Sequence, residues 1–252
     1  MRGVFQMTYM SERRRDPGGA RAVALARFDD ASAMSQPWEA YVPARIPETG
    51  FYRARGKRAF DLVVSAGMLV VLAPLLAVLM LIVACDGGRP VFAHTRVGRF
   101  GRRFRCLKIR SMRHGAEHEL AAILAADSAA AAEWARDSKL TDDPRVTRLG
   151  AFLRKASLDE LPQLWNVLRG EMSLVGPRPV TADELRRYGA AAASYMALKP
   201  GLTGPWQVDG RNAISYADRV ALDVDYARSY GFRRDVSIVV RTGLAVLKLT
   251  GK

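Results

Sequence analysis

The sequence predicts a mostly helical α+β domain tied to one membrane-associated helix. Three observations predict it. An uncharged run of 24 residues extends from Leu62 to Cys85. A glycine-punctuated, extended stretch follows it, and helical patterns then occupy 115–139, 218–230 and 235–249. Lysine and arginine together number 39 against 25 acidic residues, a net charge of +14, so a polyanionic partner is expected. Anionic lipid, nucleic acid and phosphate-bearing substrates all satisfy that balance. The two cysteines, Cys85 and Cys106, form no CxxC pair, which argues against a disulfide framework or a zinc site. Cys85 reads as packing. His114 and His118 are spaced i, i+4 without HExxH, and read as a solvated helix face.

Residues 1 to about 50 read as a poorly structured basic leader. Arg13-Arg14-Arg15 precedes Asp16-Pro17-Gly18-Gly19, prolines recur at 37, 43 and 47, and no period is sustained. No apolar stretch near the N-terminus suggests a signal peptide. The segment 51–86 is the membrane element. As a straight helix, the run from Leu62 to Cys85 would reach roughly 36 Å, against a hydrocarbon core of about 30 Å. Pro74 sits at its middle, removes a helix hydrogen bond and favours a kink. The flanks are basic on both sides, with Arg53, Arg55, Lys57 and Arg58 before the run and Arg89, Arg96, Arg99, Arg102 and Arg103 after it. The positive-inside rule wants such clusters on one side. Pattern alone leaves a simple span and a helix-break-helix hairpin equally open. The final segment carries Val236, Val239, Val240 and Leu244 beside Arg241 and Lys248, which suits either an interfacial or a core helix.

Ser157-Leu158-Asp159-Glu160-Leu161-Pro162-Gln163 carries the first chemical signal. Ser157 and Glu160 have capping-box spacing, and a helix start is the plainer reading of the heptapeptide alone. The same pair of carboxylates could supply a nucleophile for phosphorus and a ligand for a divalent cation. Pro177-Arg178-Pro179 holds one guanidinium between two fixed backbones, ready for phosphate. Arg154 precedes the acidic pair by about one turn, and Lys108 and Arg110 close the basic run. The loop Lys199 to Gly204 lacks the GxxxxGK[ST] pattern of a P-loop.

These blocks together resemble the bacterial sugar transferases, the monotopic phosphoglycosyl transferases. The resemblance runs from about Lys57 to Gly251. It rests on Lys57-Arg58-Ala59-Phe60-Asp61 before the apolar run, on Pro90-Val91-Phe92, Arg96-Val97-Gly98 and Lys108-Ile109-Arg110-Ser111-Met112, and on Asp143-Pro144-Arg145-Val146-Thr147. Leu153 to Gln163, Gly170 to Pro179, Lys199 to Gly204, Trp206-Gln207 and Gly210-Arg211-Asn212 complete it. The resemblance implies a catalytic domain at 87–252 on the cytoplasmic face of the inner membrane. It also implies a re-entrant helix breaking at Pro74, where Ala73-Pro74 replaces the family's Ser-Pro or similar pair. The implied reaction transfers a hexose 1-phosphate from a UDP-sugar to undecaprenyl phosphate and releases UMP, opening exopolysaccharide or other glycoconjugate synthesis. Asp159 would be the nucleophile and Glu160 would bind Mg²⁺, with Asp159 adjoining that metal. Arg178 would hold phosphate, with Arg154, Lys108, Arg110, Arg211 and Asp223 as further substrate contacts. Expected partners are the UDP-sugar, undecaprenyl phosphate and inner-membrane lipids. Nucleic acid is not expected, because basic and aromatic residues do not interleave. Galactose or glucose donors are weakly favoured by overall layout, and a homo-oligomer is left open. The competing reading is a membrane-tethered polyanion-binding or scaffold protein without catalysis.

Overall fold

A computed structural model of the chain describes residues 38–46, 50–85, 87–137, 140–209 and 215–247. It is mostly helical, with two small sheets. The apolar run forms helix α1 (Lys57–Cys85), continuous with a preceding turn from Tyr52. Among the described residues, this is the one helix long and apolar enough to cross a membrane. One stripe of α1 packs against the rest of the chain: Asp61, Ser65, Leu76, Leu79 and Val83 are buried, and Val64, Met68 and Leu72 are partly so. Steps of three and four residues put these positions on one helix face. The other face exposes Val63, Val70, Val71, Val78 and Leu81, as well as Cys85, which was expected to pack. Pro74 lies within α1, and the helix is assigned unbroken through it. The expected break is therefore not seen as a gap in helical structure.

Strands β1 (Val91–Val97) and β2 (Arg103–Ile109) pair antiparallel, Val91 opposite Ile109 and Val97 opposite Arg103. Their turn explains the glycine punctuation: Gly101 has φ +73°, and the Gly98 amide donates to the Arg102 carbonyl at 2.8 Å. The Ala-rich segment 115–139, expected as one helix, is two: α2 (Ala116–Ala126) and α3 (Ser128–Asp137). Asp127 divides them. Its carboxylate accepts from the amides of Ala129 and Ala130 at 2.8 and 3.1 Å and starts the second helix. Helix α4 (Arg148–Lys155) starts at Thr147, whose hydroxyl accepts from Gly150. Helix α5 (Gln163–Arg169) and strand β3 (Ser173–Val175) follow.

Thr181 and Glu184 form a complete capping box on α6 (Ala182–Arg186), and α7 (Ala192–Met196) follows. Strand β4 (Gly201–Thr203) runs parallel to β3. The backbones there touch so closely that a Cβ on Gly201 would lie 2.1 Å from the Gly176 nitrogen. The Gly-rich loop is thus a backbone crossing rather than a phosphate cradle. Helices α8 (Pro205–Asp209), α9 (Tyr216–Ser229) and α10 (Phe232–Leu247) complete the chain.

The main core joins Phe104, Leu164, Val167, Leu174, Tyr226 and Ile238 to the inner stripe of α1. A buried polar knot fixes the foot of α1 to α10. Asp235 accepts from Lys57 at 2.7 Å, from Tyr52 at 2.6 Å and from Tyr226 at 2.7 Å. A fully buried carboxylate persists only with such compensation. Residues 38–46, at the end of the expected leader, pack against the domain. Trp38 is buried beside Val97, Tyr188 and Met196, and the Ala44 amide donates to the Ala193 carbonyl at 2.8 Å.

Candidate active site

A broad cleft of about 2230 Å³ runs between β1–β2, α4 and the loop before α6. Lys108, Arg110, Arg154, Asp159, Glu160 and Arg178 all line it. Asp159 and Glu160 lie in a single 3-10 turn, Leu158–Glu160, joining α4 to α5. The expected capping box does not form: Ser157 makes no side-chain cap bond and takes the left-handed conformation, φ +55°. A non-glycine residue there is strained, and such strain concentrates at functional turns. The acidic pair is thus presented by a tight reversal instead of a helix start.

The Glu160 carboxylate accepts from Lys108 Nζ at 2.7 Å, and Asp159 Oδ2 lies 3.9 Å from the same nitrogen. Lys108 comes from β2, whose pairing with β1 holds it opposite Phe92. Asp159 is buried at 6% exposure. Burial pushes its carboxyl up to about 6, Lys108 pulls it down, Glu160 pushes it up and Arg154 pulls it down. A carboxylate so placed has lost most of its water and points into a cleft rimmed by cations.

Arg154 donates from Nε to Ser111 Oγ at 2.8 Å. That approach needs Gly150: a Cβ there would lie 1.9 Å from the Ser111 carbonyl oxygen. Arg178 rests over the Trp206 indole, 5.1 Å from the ring centroid, and Arg219 sits over the same ring at 4.5 Å. Arg110 lines the cleft, but its Nη2 donates at 2.8 Å to the Val83 carbonyl near the end of α1, which ties that helix end down. Asp223, expected as a substrate contact, does not line the cleft. It is buried behind it and accepts from the Tyr188 hydroxyl at 2.9 Å, and burial pushes its carboxyl up to about 7. Arg211 lies outside the described residues. His114 precedes α2, so the expected i, i+4 histidine face is not a helix face.

Sequence reasoning quoted Ser111 and Trp206 within larger blocks but gave no role to them, and it passed over Arg219. Each carries an ordinary side chain whose role comes from its neighbour, and only the third dimension supplies that neighbour. Among the described residues no three His, Cys, Asp or Glu side chains gather as a metal cage. The hard oxygens of Asp159 and Glu160 nonetheless fit Mg²⁺, which commonly takes one or two carboxylates and completes its shell with water and substrate phosphate.

The description "Bacterial sugar transferase" matches residues 52–249, which include α1 and every cleft residue just described. The chain belongs to the bacterial sugar transferase family. It is 51% identical over 195 residues to the UDP-galactose-lipid carrier transferase of Erwinia amylovora, covering 77% of this chain and 41% of that protein. It is 48% identical over 195 residues to the undecaprenyl-phosphate galactose phosphotransferase of Salmonella typhimurium, with the same coverage of each. Against the exopolysaccharide production protein ExoY of Sinorhizobium fredii it is 47% identical over 203 residues, covering 79% of this chain and 90% of that one. This sugar transferase therefore spans about two fifths of the first two relatives and nearly all of the third.

Proposed function

We propose that this family member transfers a hexose 1-phosphate from a UDP-sugar to undecaprenyl phosphate in two displacements at Asp159. In the first, an Asp159 oxygen forms a bond to the β-phosphorus. The bond from that phosphorus to the bridging oxygen breaks, and UMP leaves with the electron pair. In the second, an oxygen of the lipid phosphate attacks the same phosphorus. The aspartyl oxygen leaves as carboxylate, and a lipid diphosphate sugar results. The observation that carries this reading is Asp159 itself, a largely desolvated carboxylate 3.9 Å from Lys108 in a cleft rimmed by Arg154 and Arg178. Desolvation strengthens a nucleophile, and the cations offset charge on the transferring phosphoryl group.

Mg²⁺ would be held by Glu160, adjoined by Asp159, and would neutralise phosphate charge when bound. Lys108, bonded to Glu160, keeps the pair oriented. Arg178 suits a phosphate by its fork of donors, and its seat on Trp206 limits its rotamers. The named relatives favour UDP-galactose as donor and a first membrane step of exopolysaccharide synthesis as the setting.

The membrane part of the proposal is a re-entrant α1, with the domain on the cytoplasmic face of the inner membrane. Support comes from both ends of α1 being bound by the same domain. Arg58 donates to the Val167 and Leu168 carbonyls at 2.6 and 2.8 Å, and Val83 accepts from Arg110. Two attachments to one domain favour a helix that returns over one that crosses.

The purified, detergent-solubilised chain, given Mg²⁺ and single UDP-sugars, is expected to release UMP with UDP-galactose over many turnovers when undecaprenyl phosphate is present and no more than about one equivalent per protein without it. A folded sample that releases none with any UDP-hexose argues for the scaffold reading.

A further inference from the structure

Helix α5 carries two buried side-chain amides, Gln163 and Asn166. The Asn166 amide is fully used. Its oxygen accepts from the Leu107 amide at 3.0 Å, and its nitrogen donates to the Arg105 carbonyl at 2.8 Å and to Glu171 at 2.6 Å. Asn166 thus ties α5 to β2. Gln163 is only 2% exposed, yet its side-chain amide makes no hydrogen bond with any described residue. Desolvating an amide without a partner is costly, and native proteins keep few such groups. A residue that only filled space there would be better apolar, like Leu164 and Val167 on the same helix.

Gln163 borders a small chamber of about 20 Å³ that adjoins the main cleft. Lys108, Glu160, Arg178 and Gln207 line both spaces, whereas Gln163 and Pro179 line the chamber alone. A single water needs roughly 10–15 Å³, so the chamber has room for one water or one phosphoryl oxygen. Its charge favours the second. Lys108 is paired with Glu160 at 2.7 Å, and Arg96, also in the wall, with Glu184 at 2.7 Å. Arg178 makes no ion pair with any described residue and rests on Trp206. One uncompensated guanidinium and one unused amide therefore line one oxygen-sized space. An anionic oxygen would satisfy both through charge-assisted hydrogen bonds. The chamber also lies beside the carboxylate of the proposed reaction, because Lys108 Nζ is 3.9 Å from Asp159 Oδ2.

We propose that Gln163 is a further catalytic residue, which with Arg178 binds one non-bridging oxygen of the β-phosphoryl group in this chamber. The inference rests on the transfer reaction proposed above. The Gln163 N–H donates to that oxygen in the bound donor and holds it as Asp159 bonds to phosphorus. Donors fixed in a water-poor site before the reaction need no reorganisation during it.

UMP release by the purified chain, with undecaprenyl phosphate and Mg²⁺, tests this. Gln163→Met keeps the length and removes the donor, and Gln163→Ala opens the chamber. Gln163→Met is expected to lower kcat/KM for UDP-galactose by about 100-fold, the scale of losing one such donor. Should Gln163→Met not fold, Gln163→Glu keeps the shape, loses both N–H donors and is expected to show the same loss. The donor is also supplied as its two diastereomers with sulfur on the β-phosphorus. Sulfur is larger than oxygen, so the wild type is expected to use one isomer several-fold more slowly than the other, and Gln163→Ala to narrow that ratio. Melting with UDP reads the contact without turnover: UDP is expected to raise the melting temperature of the wild type more than that of Gln163→Met. A Gln163-dependent UDP shift in a wild type that releases no UMP would remove the transferase reading and keep the chamber as a phosphate subsite. Wild-type turnover matched by folded Gln163→Met, an isomer ratio unmoved by Gln163→Ala, or equal UDP shifts in the wild type and Gln163→Met overturns the proposal.

Discussion

At the scale of single residues, the acidic pair and the arginines were legible in the sequence, but their partners were not. Asp159, Glu160 and Arg178 stand in compact patterns that suggest phosphate chemistry. The cleft then gathers them with Lys108 and Arg154. Asp223 shows the limit of such reading. A carboxylate on an amphipathic helix can face substrate or core, and here it faces Tyr188 and lies near Arg219 and Arg178. Burial holds its folded pKa at about 7, against about 3.9 for an unfolded aspartate. Its folded form therefore binds a proton that the unfolded chain releases between those values. The stability it contributes is fully present below about pH 4 and is lost as pH rises through about 7. Asp223→Asn is accordingly expected to flatten the fall in melting temperature between pH 5 and pH 8. Identical pH dependence in the variant and the wild type would show that the carboxyl does not titrate there.

At the scale of elements, periodicity located the helices well and their joints poorly. The apolar run, the stretch after it and the last two helices all fell close to their expected positions. The split at Asp127 was hidden, because alanine favours helix on either side and only the side-chain cap marks the division. Ser157 misled in the opposite sense. Capping-box spacing was present, but Pro162 and the left-handed turn moved the start of α5 beyond it. Close contacts are equally silent in one dimension. Gly150 reads as a weak point inside α4, yet it is the position where that helix meets the Ser111 carbonyl. Gly150→Ala is expected to cost about 1–3 kcal/mol through overpacking and to displace Arg154 from Ser111. Gly243→Ala, with open space around it, should be neutral or stabilising by up to about 1 kcal/mol. Melting temperatures of the two variants in the same detergent check this, and comparable losses in both would contradict the close approach.

At the scale of the whole molecule, α1 acts as a floor along which the domain is laid, bound at its foot by Lys57 and Arg58 and at its far end by Arg110. Hydropathy is silent on these attachments, because they are hydrogen bonds made by segments distant in the chain. Single cysteines at Arg55 and Arg89, with Cys85 and Cys106 replaced by serine, test the re-entrant topology. Both are expected to react with an impermeant maleimide only in inside-out vesicles, and labelling of either from intact cells would require a crossing helix. In the proposed reaction such a topology would bring a soluble nucleotide-sugar and a lipid phosphate to one carboxylate at the membrane surface. The proposed reaction turns on that carboxylate. The most direct test is to incubate the chain with Mg²⁺ and UDP-galactose labelled in its β-phosphate, without lipid, and to follow label on the protein. Label should bind the wild-type protein, leave on addition of undecaprenyl phosphate, and be absent from a folded Asp159→Asn variant. Label retained by Asp159→Asn, or undiminished turnover in it, would contradict Asp159 as the nucleophile.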